Sequence, residues 1–345
     1  MADASPAAAV AISVVVAAHR CNSDLHETLD SIALQQQAPA WECLIVANGP
    51  FQSDAVLEQR LQQDPRFRLV HSPQQGLTRA LRLGCSQARG PLIARLDVGD
   101  AMTPERLQCQ GRAFALHPDV VLCTSAVEVC GPLWEPIWIE PGTEPREQPL
   151  RADTLPPANG LAVDIPHHAS VMFRKQAYEQ VGGYREQYYF GQDWDLWYRL
   201  ATVGSLYVNS QVLTRVRLMP NGISSRHRRE QVAIARLSLA CYEARKRGES
   251  DEALLAQAAL IRPNPSPQNR GPRRWSLPWD ARRAEGNYFI AEALRRKGDA
   301  RCHRYFLVAL RNGFWKGRIW LRSLQSLSLT LGPRPRLNRP PTRSE

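Results

Sequence analysis

No stretch of this chain approaches the roughly 18–20 consecutive apolar residues of a membrane-spanning helix. The longest apolar run near the start, Ala7 to Ala18, is interrupted by Ser13. Met1 to Pro6 lacks a basic n-region and carries Asp3, so no secretory signal peptide is expected. The eight cysteines, at 21, 43, 85, 109, 123, 130, 241 and 302, form no CxxC pair. That scatter disfavours a disulfide frame or a zinc site and predicts free thiols in a reducing compartment. Phosphate-binding fingerprints are missing too: no GxGxxG follows the first strand-like run, and no GxxxxGK[ST] occurs. The 21 Gly and 26 Pro follow no period, which excludes collagen-like chains. The expectation is a cytoplasmic protein.

What the chain does have is a folded composition and a lopsided charge. Of 345 residues, 43% are hydrophobic and 22% charged, ordinary for a globular protein. The net charge of +11 is concentrated from Arg226 onward, where 26 Lys and Arg face 10 Asp and Glu; residues 1–225 hold 18 against 23. A mildly acidic part therefore precedes a strongly basic one, and the change marks a boundary.

In the acidic part, strand-like and helix-like patterns alternate. Ile12 to Ala18 is a β-branched run of the kind buried on both sheet faces. Leu25, Leu29, Ile32 and Ala33 follow at helical spacing, with Asp24 and Glu27 reading as a capping box. Cys43 to Ala47 is a second buried strand, ended by the turn Asn48, Gly49, Pro50. A helix over 54–63, a strand over 67–71 and a helical stripe after Gly76 come next. Pro91 to Leu96 is strand-like and runs into Asp97, and Thr103 with Pro104 reads as a helix start. A further strand is expected over 169–173. Such alternation predicts a mostly parallel α/β sheet whose ligand binds beyond the carboxyl ends of the strands. Those ends carry His19 and Arg20, Asn48 and Gly49, and Asp97 to Asp100.

The order of these segments resembles the family 2 glycosyltransferases of GT-A fold. The resemblance runs from Ile12 to about Ser225 through ISVVVAAHRCN, LIVANGP, QGLTRALRLGCSQARGPLIARLDVGDAMTPERL, HHASVMFRKQAYEQVGGYRE and GQDWDLWYRLA. It implies transfer of a sugar from a nucleotide-sugar (UDP-, dTDP- or GDP-linked) to an acceptor hydroxyl, with inversion. That chemistry needs charge neutralisation on a leaving diphosphate, which Mg²⁺ or Mn²⁺ provides as a Lewis acid. It also needs a carboxylate to take the acceptor's proton.

Residue by residue, the resemblance assigns Asp193 as the base. Asp97 falls on the nucleotide and metal side. The family's Asp-x-Asp-Asp cluster is here Asp97, Val98, Gly99, Asp100, so its middle carboxylate is absent and Asp100 becomes the candidate replacement ligand for a weakly bound cation. Asn48 stands where the family reads the base, with a plain turn residue as the competing reading. Ala17 and His19 at the first strand's exit, Gly76, Arg215 and Arg217 complete the expected donor side. Ser224, Ser225 and Arg226 could close over the diphosphate, or form an ordinary solvated run. His168, Gln192 and Trp194 are expected on the acceptor side. Gln192 replaces the family's glutamate, and Asp195 reads as a helix N-terminal acid favoured by the dipole.

Beyond Arg228 the pattern turns helical, with a prolyl crossing over 262–279 and a helical hairpin turning at Gly298 and Asp299. The segment from Phe314 to Arg322 mixes aromatic and basic residues; it suits either an anionic membrane surface or a packed cap with Trp315 and Trp320 in its core. The domain reading is a flexible tail to residue 10, a GT-A-like domain over 11–227, a basic helical region over 228–331 and a disordered tail over 332–345. The acceptor is expected to be a glycan or lipid-linked glycan. The rival readings are a catalytically inactive nucleotide-sugar-binding relative and, more remotely, a nucleic-acid-binding protein; no nucleic-acid motif occurs, and no nucleic acid is expected as a partner.

Overall fold

The computed structural model describes residues 9–140, 166–220, 227–263 and 280–327. The β-branched runs form strands as the sequence predicts, because both sheet faces cover them. β1 (Ile12–Ala18), β2 (Trp41–Asn48), β3 (Phe67–Ser72) and β4 (Leu92–Arg95) lie parallel in the order β3-β2-β1-β4. Between them run α1 (Ser23–Ala33), α2 (Ala55–Gln63) and α3 (Leu77–Gln87).

The sheet then changes character. β5 (Ala101–Met102), α4 (Arg106–Leu116), β6 (Val120–Cys130) and β7 (Pro136–Glu140) are followed by a 3₁₀ turn at His168–Ser170. β8 (Met172–Arg174), α5 (Lys175–Gln180), α6 (Gln192–Leu200) and β9 (Ser205–Arg217) complete the sequence. β8 inserts antiparallel between β4 and β6, while β6 and β9 run parallel. The expected mostly parallel sheet is thus parallel only in its first half; the second half is mixed.

Some local expectations shift for identifiable reasons. Asn22, not Asp24, caps α1, its Oδ1 accepting from Leu25 N at 3.2 Å. Asp24 and Glu27, expected as a capping box, direct their carboxylates to Arg217. α4 begins at Arg106 rather than at Pro104, because Arg106 N closes a turn on Thr103 O at 3.2 Å. The strand expected over 169–173 starts late, its first residues being used by the 3₁₀ turn.

The chain divides into two compact units: residues 1–217 with 227–267, and residues 218–226 with 268–345. Beyond the expected boundary at residue 227, α7 (Arg228–Lys246) and α8 (Glu252–Leu260) belong to the same unit as the sheet. Ile234 and Ala258 pack in one apolar cluster with Tyr188 and Phe190, and Arg185 reaches Asp251 at 2.8 Å. The second unit holds α9 (Ala281–Arg296), α10 (Cys302–Gly313) and α11 (Gly317–Ser326). α9 and α10 form the predicted hairpin, closing over buried Ala284, Ile290, Leu294, Phe306 and Ala309. The expectations for residues 1–8, the 264–279 crossing, Ser224 to Arg226 and the tail beyond 327 lie outside the described residues.

Candidate active site

The carboxyl end of β4 is built around a buried arginine. Arg95, 1% exposed, donates to Val15 O at 3.3 Å, to Leu96 O and to Asp97 Oδ1. Asp97 is half-buried and its Oδ2 makes no hydrogen bond among the described residues. Burial alone would raise the Asp97 carboxyl, but Arg95 and then His168 and His167 outweigh it and hold it below the usual range. The chain then turns through Gly99, at φ +97°, where an L side chain is strained. Thr28 Oγ1 fixes this turn, accepting from Gly99 N at 2.9 Å and donating to Asp100 O at 2.8 Å.

Asp100 is 6% exposed, and its Oδ1 accepts from Arg217 N at 2.9 Å. Burial, with the charge of Asp97 beside it, pushes its carboxyl well above the ordinary range, so the neutral form is favoured. Asp100 thus holds the end of β9 through Oδ1.

Arg217 and Arg215 separate. Arg217 lies under the turn, paired with Asp24 at 2.5 Å and Glu27 at 2.9 Å, its guanidinium 4.7 Å from the Trp134 ring centre. Arg215 pairs with Glu128 at 2.7 Å, and no contact joins it to Asp97 or Asp100.

At the neighbouring strand ends, Asn48 Oδ1 accepts from Gly76 N at 2.7 Å, tying β2 to the start of α3. Gly76 sits at φ +148°, a conformation that favours glycine. The amide nitrogen of Asn48 is left free to donate to a ligand, within the described residues. Ala17 is half-buried opposite Val46, and His19 is exposed at the exit of β1, its imidazole lowered by burial and by Arg20.

The remaining candidates cluster at α6, whose Gly191 N-cap offers no side chain. Asp193 stands in the first turn. Burial pushes its carboxyl up to about 6, its own N–H and that of Trp194 work against this, and the charge of Asp97 adds to the rise. Asp193 and Asp97 thus share one electrostatic field, as do Asp97 and His168. His168 is held neutral, its imidazole lowered to about 3 by burial and by Arg95, and Nε2 bonds Tyr184 Oη at 2.9 Å. Gln192 is buried at 4% exposure and Trp194 is half-buried. Asp195 stands in the first turn of α6, as the sequence reads it, and has ionic partners as well. It is fully buried and takes Arg199 Nη2 at 2.6 Å, with Arg185 and Arg245 at 3.8 and 4.0 Å.

Two residues escape the sequence reading. Arg95 lies inside a strand-like run and Arg106 follows a helix-start pattern, and the sequence reading gives neither a role. Arg106 is fully buried and donates to Ala169 O at 2.8 Å, Arg95 O at 2.9 Å and Val171 O at 3.1 Å. Burial lowers its guanidinium to about 9. It bolts the β4 exit to the segment that carries His168. The only available signal was Arg106 itself, in the quoted DVGDAMTPERL segment. Elsewhere, Cys21, His26 and Asp54 draw together, with His26 Nε2 2.8 Å from Asp54 Oδ2 and 3.9 Å from Cys21 Sγ. His26 Nδ1 is buried without a partner, so the outer-shell acceptor that usually orients a metal-bound histidine is missing.

A mixed α/β sheet with these polar strand ends has a GT-A-like architecture. Residues 13–182 match the model of glycosyl transferase family 2. The amylovoran biosynthesis glycosyltransferase AmsE of Erwinia amylovora is 28% identical over 230 residues, 63% of this chain and 80% of that protein. The O-antigen biosynthesis glycosyltransferase WbnJ of Escherichia coli is 27% identical over 191 residues, 55% and 71% of the two chains. Among solved structures, S. aureus TarS 1–349 superposes with a TM-score of 0.53 at 13% identity, covering 92% of this chain and 89% of that one, a likeness of fold. The chain carries a family 2 glycosyltransferase domain over residues 13–182.

Proposed function

We propose that the enzyme transfers a sugar from a nucleotide-diphosphate-sugar to an acceptor hydroxyl of a growing or lipid-linked glycan, with inversion and with Asp193 as general base. The observation that carries this reading is the place of Asp193 in the first turn of α6, where burial and the charge of Asp97 raise its carboxyl to about 6. A base works best when its pKa lies near the operating pH, and this one is ionised at neutrality yet basic enough to accept a proton. As the acceptor oxygen bonds to the anomeric carbon, its proton passes to Asp193 and the diphosphate departs with the electron pair of the broken bond.

The donor is read as a UDP-sugar in preference to dTDP- or GDP-linked ones, because TarS structures include complexes with UDP and UDP-GlcNAc. The relatives' roles in amylovoran and O-antigen biosynthesis support a polysaccharide acceptor. Asn48 and Gly76 are assigned to the base and its loop, and Ala17 and His19 to the nucleoside edge. His168, Gln192 and Trp194 are assigned to the acceptor side.

The residues fit a divalent cation held through one carboxylate. Asp97 keeps one oxygen open, and Mg²⁺ sites commonly combine one or two carboxylates with substrate phosphates. Such an ion, when bound, supplies Lewis-acid stabilisation of the leaving diphosphate. Asp97 would hold the ion, and Arg95 fixes Asp97. Thermal-shift titration with UDP-, GDP- and dTDP-sugars tests the donor class, since a ligand of the native state raises apparent stability. Stabilisation by UDP-sugars alone is expected; no response to any of the three classes would remove the nucleotide-sugar reading.

A further inference from the structure

α11 presents three sectors. Ile319 and Ser326 face inward and are fully buried. At 100° per residue, Trp320, Leu324 and Leu321 fall on one adjoining arc. Arg318, Arg322 and Gln325 fill the third. The apolar arc is open: Trp320 is 48% exposed, Leu321 56% and Leu324 61%. The alternative of a packed cap with Trp320 in its core is therefore not what the chain adopts.

The charged side chains carried by α10 and α11 themselves are of one sign. Residues 302–327 carry Arg304, Arg311, Lys316, Arg318 and Arg322 and no Asp or Glu. Lys316 and Arg318 share Glu285 of α9, whereas Arg304, Arg311 and Arg322 make no ion pair among the described residues. A protein partner's hydrophobic pocket would need the arc but not these cationic side chains. No described helix is long and apolar enough to cross a membrane. An amphipathic helix with Trp and Leu on one face and arginine beside it is the form that lies in the plane of an anionic interface.

We propose that α11 docks the second unit on an anionic lipid bilayer, with Trp320, Leu321 and Leu324 entering the headgroup boundary and Arg304, Arg311 and Arg322 meeting lipid phosphates. This goes beyond the transfer reaction and does not depend on it. Each Lys or Arg near such a surface contributes roughly fivefold in binding, screened beyond a Debye length of about 8 Å at physiological salt.

The test is sedimentation of the full-length protein with vesicles of phosphatidylglycerol and phosphatidylcholine, or of phosphatidylcholine alone, at low and high salt. Binding is expected only with phosphatidylglycerol, and it should fall as salt rises. The triple substitution W320S, L321S, L324S and the pair R311E, R322E should each weaken it at least tenfold with the melting temperature kept, since all five side chains lie at the surface or near it. Full-length protein that ignores phosphatidylglycerol at low salt, or a triple variant that binds like wild type, overturns the proposal. So does a wild-type dimer that the triple variant converts to monomer with no lipid binding in either, which would make the arc a contact between copies of this chain.

Discussion

The guanidinium of Arg217 occupies the direction in which a side chain at position 99 would point: a Cβ on Gly99 would stand 3.5 Å from Arg217 Nη2. The carboxylate that the family resemblance leads one to expect at position 99 is missing, and a cation, neutralised by Asp24 and Glu27, sits beside the gap. A Cβ alone would make only ordinary contact there, so space is not what disfavours an added Cβ. The backbone is, since φ is +97°.

Gly99→Ala should therefore lower stability by about 1–2 kcal/mol through backbone strain alone. Gly99→Asp meets the same strain but places a carboxylate near Arg217, so its melting temperature should lie between those of Ala and wild type. An Asp variant less stable than the Ala variant would show that Arg217 is already fully satisfied by its acidic partners.

Asp97 and Asp100 should behave differently despite their proximity. Asp100→Asn keeps the oxygen that accepts from Arg217 N and should be near wild type, whereas Asp100→Ala strands that N–H and should cost about 1–3 kcal/mol. Asp97→Asn should abolish any difference in transfer between EDTA-treated and Mg²⁺-supplemented enzyme. If Asp100→Asn instead removes the metal response, the cation is held by Asp100.

Asn48→Ala should weaken donor binding, measured as a higher KM for the UDP-sugar, and cost about 1 kcal/mol of stability through the lost bond to Gly76 N. An unchanged KM would return Asn48 to the role of a turn residue.

Much of this arrangement was legible in the sequence for plain physical reasons. Strands covered on both faces, such as 12–18 and 43–47, read as unbroken β-branched runs, and the polar residues at their ends fall where α/β sheets bind ligands. The antiparallel insertion of β8 left no comparable mark, because three residues are too few to show a period. Nor do patterns reveal buried cations: Arg95 and Arg106 have no assigned role until backbone carbonyls are found around them. Asp195 falls in the first turn of α6 as read, but its burial beside Arg185 and Arg245, far off in sequence, left no local mark. The capping box at Asp24 and Glu27 failed because Arg217, almost two hundred residues later, attracts both carboxylates.

The raised Asp193 carboxyl sets the pH behaviour. Its folded value of about 6 exceeds the ordinary 3.8, so the unfolded chain gives up this proton more readily. The group therefore opposes folding increasingly as pH climbs from about 4 to about 6, and Asp193→Asn should gain melting temperature relative to wild type over that interval. In wild type, kcat/KM for transfer should fall about tenfold per pH unit below 6 and level off above it. A profile flat down to pH 4.5 would mean that no group of this kind must be ionised.

The most direct test of the account is transfer by Asp193→Asn at neutral pH, read beside UDP-sugar binding to the same protein. The substitution keeps the shape at the start of α6 and removes the proton acceptor. Loss of a general base typically costs about 10²–10⁴ in rate. Transfer should fall by that factor, with donor affinity within a few-fold of wild type. Transfer at the wild-type rate, with donor binding intact, would contradict the assignment of Asp193 as the base.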